Sequence, residues 1–261
     1  MSRLAQTFER LRAAGQRGLV TYITAGDPDL PRTEGILRAL DRAGADVVEV
    51  GIPFSDPLAD GPVIQRATER ALEAHTTLLG VLEMLRRLRA DLRMPVVLFS
   101  YANPILRVGA ERFADLARDA GVDGVLVLDL PIEESTDFRS ILSARGIDTI
   151  LLLSPTTSDE RLRTAAQLGS GFLYAISRLG VTGARDEIAE GAEDMVRRIR
   201  GVSTLPIALG FGISKPDHVR RVGQWADAAV VGSALVNVIA DAGQSPDLNT
   251  RVEEYVRWLK S

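Results

Sequence analysis

Glu49 interrupts the apolar run Val47-Val48-Glu49-Val50. A carboxylate in such a run is costly to bury unless it is paired or protonated. Burial would push its pKa upward, which suits a group that both gives and takes protons. The plain alternative is a glutamate that pairs with a buried arginine or turns to solvent at the end of its strand. The segment that follows, Gly51-Ile52-Pro53-Phe54-Ser55-Asp56-Pro57-Leu58-Ala59-Asp60-Gly61-Pro62, carries three prolines and two acids. Its stiff backbone suits the fixing of a side chain. Asp60 has two readings at this point: a second working carboxylate, or the N-cap of a helix beginning near Pro62. Asp56 before Pro57 reads equally well as turn chemistry.

What the chain lacks narrows the chemistry. It has no cysteine, which excludes thiolate catalysis, disulfides and Cys-based zinc sites. Its two lysines, Lys215 and Lys260, lie outside the apolar runs, which argues against a Schiff base. Its two histidines, His75 and His218, fall in or beside helical segments and make a poor metal set, so no metal is expected. General acid–base catalysis by carboxylates remains, assisted by tyrosines and backbone amides.

The elements that must position these groups follow a simple rhythm. Eight short, nearly continuous apolar runs occur at 19–24, 47–50, 96–100, 124–128, 149–153, 172–176, 207–209 and 228–231. Such runs are the pattern of parallel strands buried on both faces. Helical patterns lie between them. Ile36, Leu37 and Leu40 share a face before Gly44, and Phe113, Leu116, Ala117 and Ala120 lead to Gly121. Ser158 reads as the cap of a helix with Asp159 and Glu160 in its first turn. Strict strand–helix alternation over 261 residues predicts an α/β fold, a single (β/α)₈ TIM barrel forming one domain over residues 1–261. An extra amphipathic helix with Leu4, Phe8 and Leu11 on one face precedes it, and a helix carrying Val252, Tyr255, Val256 and Leu259 closes it. An open doubly wound sheet would normally show a glycine-rich phosphate turn after its first strand. That turn here is Ala25-Gly26-Asp27-Pro28-Asp29.

Barrel enzymes keep their chemistry at the C-terminal ends of the strands. The polar residues there include Thr24, Tyr101, Asp129, Ser154 and Tyr174. The two tyrosines are the better pocket candidates, each offering apolar area and a hydroxyl. Asp129 is either a third acid–base group or a partner for loop amides. Glycine-rich turns follow the last three strands, at 180–183, 210–214 and 232–234. Free amides there, with a short helix after strand 8, form a candidate phosphate site. The net charge of -4 gives no reason to expect nucleic acid. No apolar run is long enough for a membrane span and no signal peptide is visible, so a cytoplasmic location is expected.

Several of these segments resemble the α subunit of tryptophan synthase. The resemblance runs over nearly the whole chain and is densest from Glu49 to Pro62. It extends to Thr24-Ala25-Gly26-Asp27-Pro28, Tyr101-Ala102-Asn103-Pro104, Asp129-Leu130-Pro131-Ile132-Glu133-Glu134-Ser135, Gly180-Val181-Thr182-Gly183, Gly210-Phe211-Gly212-Ile213 and Gly232-Ser233-Ala234. It implies retro-aldol cleavage of indole-3-glycerol phosphate, with Glu49 as proton shuttle and Asp60 as partner of the indole N–H. It further implies Tyr22, Ile64, Tyr101, Val127, Tyr174, Thr182 and Phe211 around the substrate, and Gly183, Gly212, Gly232 and Ser233 at the phosphate. Mobile loops at 51–60 and 178–191 belong to the same expectation. So do the absence of a cofactor in this chain and a partner β subunit that carries pyridoxal phosphate in an α2β2 assembly. Three other readings stay open here: an indole-releasing lyase that works alone, a different phosphate-binding barrel such as an isomerase or epimerase, and a non-enzymatic barrel that only binds or activates a partner, against which Glu49 and Asp60 together argue.

Overall fold

Each element begins and ends where local chemistry allows. The computed structural model describes residues 1–176, 191–210 and 212–261. Along the chain run α1 (Arg3–Ala13), β1 (Gly18–Thr24), α2 (Leu30–Ala43), β2 (Val47–Gly51), α3 (Pro62–Glu73), α4 (Leu78–Leu88), β3 (Val96–Ser100), α5 (Ala102–Val108) and α6 (Ala110–Asp119). Then follow β4 (Gly124–Val127), α7 (Thr136–Ser143), β5 (Asp148–Thr149), β6 (Leu151–Leu153), α8 (Asp159–Leu168), β7 (Leu173–Ile176) and α9 (Ala192–Arg200). The last elements are β8 (Ile207–Gly210), α10 (Pro216–Val222), β9 (Ala228–Val231), α11 (Ser233–Ala242) and α12 (Leu248–Leu259). Asp29 caps α2 by accepting from the Arg32 N–H, and Ser158 caps α8 from the Arg161 N–H. Gly44 ends α2 in the left-handed region at φ 90°, where a side chain would be strained.

All strand neighbours are parallel, in the order β5-β4-β3-β2-β1-β9-β8-β7-β6. β5 and β6 are halves of one strand, separated by Ile150. The first half pairs with β4 and the second with β7, so this strand closes the sheet into a barrel. The sequence reads it as one strand over 149–153. The change of partner at Ile150 divides it, although the Ile150 N–H still donates to Val125 O at 3.0 Å.

Alternation along the strands separates two apolar layers. Val20, Val47, Val97, Leu126, Ile150, Phe172, Ala208 and Ala228 fill the interior. Leu19, Val48, Val50, Leu98, Val125, Leu151, Leu209 and Val231 face the surrounding helices. Leu4, Phe8 and Leu11 of α1 join the interior layer and plug the N-terminal end of the barrel. Each such side chain contributes about 1.5–3 kcal/mol of burial. With that end filled, the opposite mouth is the place for a site.

The plugged end carries a repeating device. Four side chains, each just ahead of a strand, accept a hydrogen bond from an N–H near the start of the preceding strand. They are Asp46 to Leu19 N (2.9 Å), Asp123 to Val96 N (2.8 Å), Ser170 to Thr149 N (2.9 Å) and Asp227 to Ile207 N (2.8 Å). Each one clamps a strand–helix–strand unit shut. α12 packs on α2 and α11, and Lys260 just beyond it reaches Asp46 at 2.9 Å. Among the described residues, no helix is long and apolar enough to cross a membrane.

Candidate active site

Glu49 faces the barrel interior because it shares the parity of Val47 on β2, while Val48 and Val50 face the helices. It lies opposite Tyr22 in the β1–β2 register and is fully buried. Among the described residues, neither of its carboxyl oxygens has a hydrogen-bond partner. Neither plain alternative, an arginine partner or a solvent-facing side chain, is seen there. Burial alone pushes its carboxyl up to about 8. The group is therefore largely protonated at neutral pH and can donate.

Asp60 is delivered by the loop between β2 and α3. The N-cap of α3 is Gly61, which has no side chain to cap with. The capping reading of Asp60 is thus set aside. Its Oδ2 instead accepts from the Tyr101 hydroxyl at 3.1 Å. The same hydroxyl accepts from the Ala59 N–H at 3.0 Å, so Tyr101 grips the loop at two neighbouring points. Burial raises the Asp60 carboxyl to about 6, against the lowering effect of the Tyr101 hydrogen bond. At neutral pH Asp60 is mainly an anion. Two carboxyls at one barrel mouth therefore stand in different protonation states, which is how acid and anion roles are separated.

Aromatic rings wall the same mouth. Tyr22 meets Phe99 edge-on at 5.2 Å, and Phe99 meets Tyr174 at 6.5 Å. Phe54 lies 5.3 Å from Tyr101. The Tyr22 phenol is held well above its ordinary value, first by burial, then by the nearby Asp60 charge, with a smaller contribution from Glu49. Tyr174 is raised by burial and then by Glu49. Both phenols remain hydroxyl donors. A Cβ on Gly51 would collide with the Tyr22 hydroxyl, and one on Gly210 would collide with that of Tyr174. These two glycines make room for the phenols. Ile64 and Ala67 of α3 and Val236 of α11 pack against Tyr22 and cover the wall.

One expected wall residue is misplaced. Val127 packs with the layer between strands and helices and lines an outer cleft with Ile105, Leu106 and Phe138. Period-two geometry turns Leu126 and Leu128 inward instead. The inward, half-buried Phe99, Leu128, Leu152 and Ile176 were not anticipated. Phe99 was accessible by counting, since it lies opposite Gly51 on β3, two residues beyond Val97, which faces Glu49. Asp129 takes its plainer reading, accepting the Ala102 N–H at 2.7 Å.

Gly212, Gly232 and Ser233 sit at the C-terminal ends of β8 and β9. These strands are neighbours with Leu209 opposite Ala229, and Gly212 and Gly232 each follow three residues later. Gly232 is the N-cap of α11 without a side-chain cap bond, and Ser233 begins that ten-residue helix. Backbone amides at the start of a helix, at the positive end of its dipole, are suited to an anion. Thr182, Gly183 and Phe211, and the loop 178–190, lie outside the described residues. Among the described residues there is no group of three or more His, Cys, Asp or Glu placed to hold a metal.

Known proteins resemble this chain in sequence and fold. The family model for the tryptophan synthase alpha chain matches residues 8–260. A tryptophan synthase alpha chain from Geobacter sp. (strain M21) is 47% identical over 260 residues, covering 100% of this chain and 97% of that one. One from Solibacter usitatus is 43% identical over 260 residues with the same coverage. Among solved structures, Mycobacterium tuberculosis tryptophan synthase superposes with a TM-score of 0.92 at 34% identity, covering 99% of this chain and 97% of that chain. A structure described as the tryptophan synthase a2b2 complex of Pyrococcus furiosus gives 0.87 at 41% identity, with 93% and 97% covered. A closed (β/α)₈ barrel with two carboxyls at its mouth and full-length relatives of one kind lead to one conclusion: this chain belongs to the tryptophan synthase alpha chain family.

Proposed function

We propose that the chain is a carbon–carbon lyase that cleaves indole-3-glycerol phosphate to indole and glyceraldehyde 3-phosphate, in the last steps of tryptophan biosynthesis, with Glu49 and Asp60 as its catalytic groups. The observation that carries the residue assignment is the fully buried Glu49 carboxyl at about 8, without a hydrogen-bond partner among the described residues, on the same mouth as Asp60 at about 6.

The reaction needs a proton at indole C3, which becomes tetrahedral as positive charge develops on the ring nitrogen. Protonated Glu49 gives that proton. The Asp60 anion accepts the indole N–H and stabilises the charge. The Glu49 carboxylate then takes the proton of the glycerol hydroxyl next to C3. The carbonyl forms, the carbon–carbon bond breaks, and its electron pair restores the aromatic ring. Glu49 is protonated again at the end. Tyr101 holds Asp60 and its loop in place. Tyr22, Ile64, Tyr174 and Phe99 wall the indole, and Leu128 takes the place expected of Val127. Gly212, Gly232 and Ser233 offer amides to the phosphate, with residues 1–261 working as one catalytic domain.

Alpha chains of this family carry no cofactor; pyridoxal phosphate belongs to the β chain with which they assemble. Leu58, 93% exposed, and Leu106, 67% exposed, stand on the outside of the elements that carry Asp60 and Tyr101. A cleft of about 380 Å³ beside Leu58 is lined by Phe54, Asp56, Pro57 and Leu72. This face, including Pro53 and Asp56, is the one we assign to the β partner. The decisive test is indole release by wild type, Glu49→Gln and Asp60→Asn, with circular dichroism as the folding control. Each variant should lose about 10²–10⁴-fold in turnover while staying folded. Retained activity in either would remove that residue from its role.

A further inference from the structure

The loop after β8 is held from behind by two side chains that the cleavage chemistry does not use. The Ser214 N–H donates to Nδ1 of His218 at 3.3 Å. The Tyr255 hydroxyl donates to the Ser214 carbonyl oxygen at 3.0 Å. Both backbone polar groups of one residue are thus engaged by side chains from two different helices, α10 and α12. Burial pushes the Tyr255 phenol up to about 12, so it remains a donor at neutral pH. His218 is buried, and Nδ1 must be unprotonated to accept.

What these tethers control is the backbone just before them. Gly212 sits in the left-handed region at φ 79°, which glycine adopts without strain, and as a glycine it has the widest choice of backbone angles. Ile213 is buried and packs with the barrel–helix layer. A glycine that can swivel is therefore followed by an anchored side chain and a doubly tethered peptide. The strand register starts this loop beside Gly232 and Ser233. An amide aimed at an anion helps only while its direction is fixed, and small displacements are costly at such sites.

We propose that His218 and Tyr255 are positioning residues of the phosphate subsite, fixing the Ser214 peptide so that the Gly212 and Ile213 amides point at a phosphomonoester dianion. This rests on the phosphate reading given above and deepens it. Neither side chain touches the substrate. Their effect falls on binding of the phosphate end, while proton transfer at Glu49 is untouched.

The test is steady-state indole release by the full chain, with inorganic phosphate as competitive inhibitor. The variants are His218→Phe, His218→Asn and Tyr255→Phe. Phenylalanine removes the acceptor or the hydroxyl at similar bulk, and the Asn carboxamide oxygen can stand in for Nδ1. His218→Phe and Tyr255→Phe should each raise KM about tenfold and weaken phosphate inhibition by the same factor, with kcat within about twofold of wild type. His218→Asn should restore both. Folded Phe variants with unchanged KM and phosphate inhibition would overturn the proposal, as would a fall in kcat alone or failure of Asn to rescue. If His218→Phe does not fold, Tyr255→Phe decides, since it removes a single oxygen. Phosphate competing equally with wild type and the variants would leave the subsite standing and refute the tethers. Phosphate failing to compete with wild type would refute the subsite and the tethers together.

Discussion

At the scale of single residues, the site depends on one carboxyl kept out of water. Glu49 titrates near 8 in the folded chain and near 4.5 as an ordinary glutamate when unfolded. Between those values the unfolded chain has lost this proton and the folded chain keeps it. The folded state binds more protons, so stability falls as pH rises through that window and levels off above it. Asp60, raised from 3.8 to about 6, acts in the same sense over a lower and narrower range. For Glu49 the loss between pH 4.5 and neutrality is roughly 3 kcal/mol, at about 1.4 kcal/mol per pH unit. Glu49→Gln abolishes the titration. Urea unfolding at about pH 5 and about pH 7.5 should therefore show the variant gaining on wild type as pH rises. A difference independent of pH would mean that Glu49 is not held protonated. A carboxyl buried inside the barrel is thus a growing cost to the fold as pH rises.

At the scale of elements, the clamps at the plugged end answer that cost. Asp46 accepts from Leu19 N and also meets Lys260 at 2.9 Å and Arg10 at 3.4 Å. Asp46→Ala leaves a buried N–H and two cations without their carboxylate, which should cost about 2–4 kcal/mol in urea unfolding. KM for the substrate should stay unchanged under folding conditions, because the clamp lies at the end opposite the site. An unaltered unfolding midpoint would refute this role. The elements themselves were largely legible, since buried parallel strands leave unbroken apolar runs and helices leave a 3.6-residue stripe. The apolar runs 96–100 and 228–231 coincide with β3 and β9. Which face a strand residue takes was not legible where both faces are apolar. In Gly124-Val125-Leu126-Val127 nothing in composition marks the inward side, and Val127 was misassigned for that reason. Glu49 was legible because a charge breaks such a run. Asp60 was not decided by spacing, because an aspartate two residues before a helix-starting proline suits a cap and a catalytic group alike. In the structure Gly61 is the N-cap, and Asp60 instead accepts from the Tyr101 hydroxyl, 41 residues away. The Tyr255 tether on Ser214 was invisible for the same reason, since it depends on α12 folding back onto the barrel.

At the scale of the whole molecule, the mouth opens beside a face on which Leu58 and Leu106 stand exposed among the described residues. Replacing Leu58 by glutamate should weaken association with the β chain about tenfold or more in titration calorimetry, while the isolated variant unfolds like wild type. Equal affinity would move the contact elsewhere. The four clamps of the opposite rim carry a different consequence. Each closes its strand–helix–strand unit by a side chain that lies just ahead of its second strand, far from any loop at the mouth. The marks that close the barrel therefore lie at one rim, while Asp60 and the glycines 212 and 232 lie in loops at the other. Mouth loops can be lengthened, exchanged or grafted from another barrel without erasing the marks that hold the strands in register, and a new reaction can be sought on this scaffold by rewriting one rim alone.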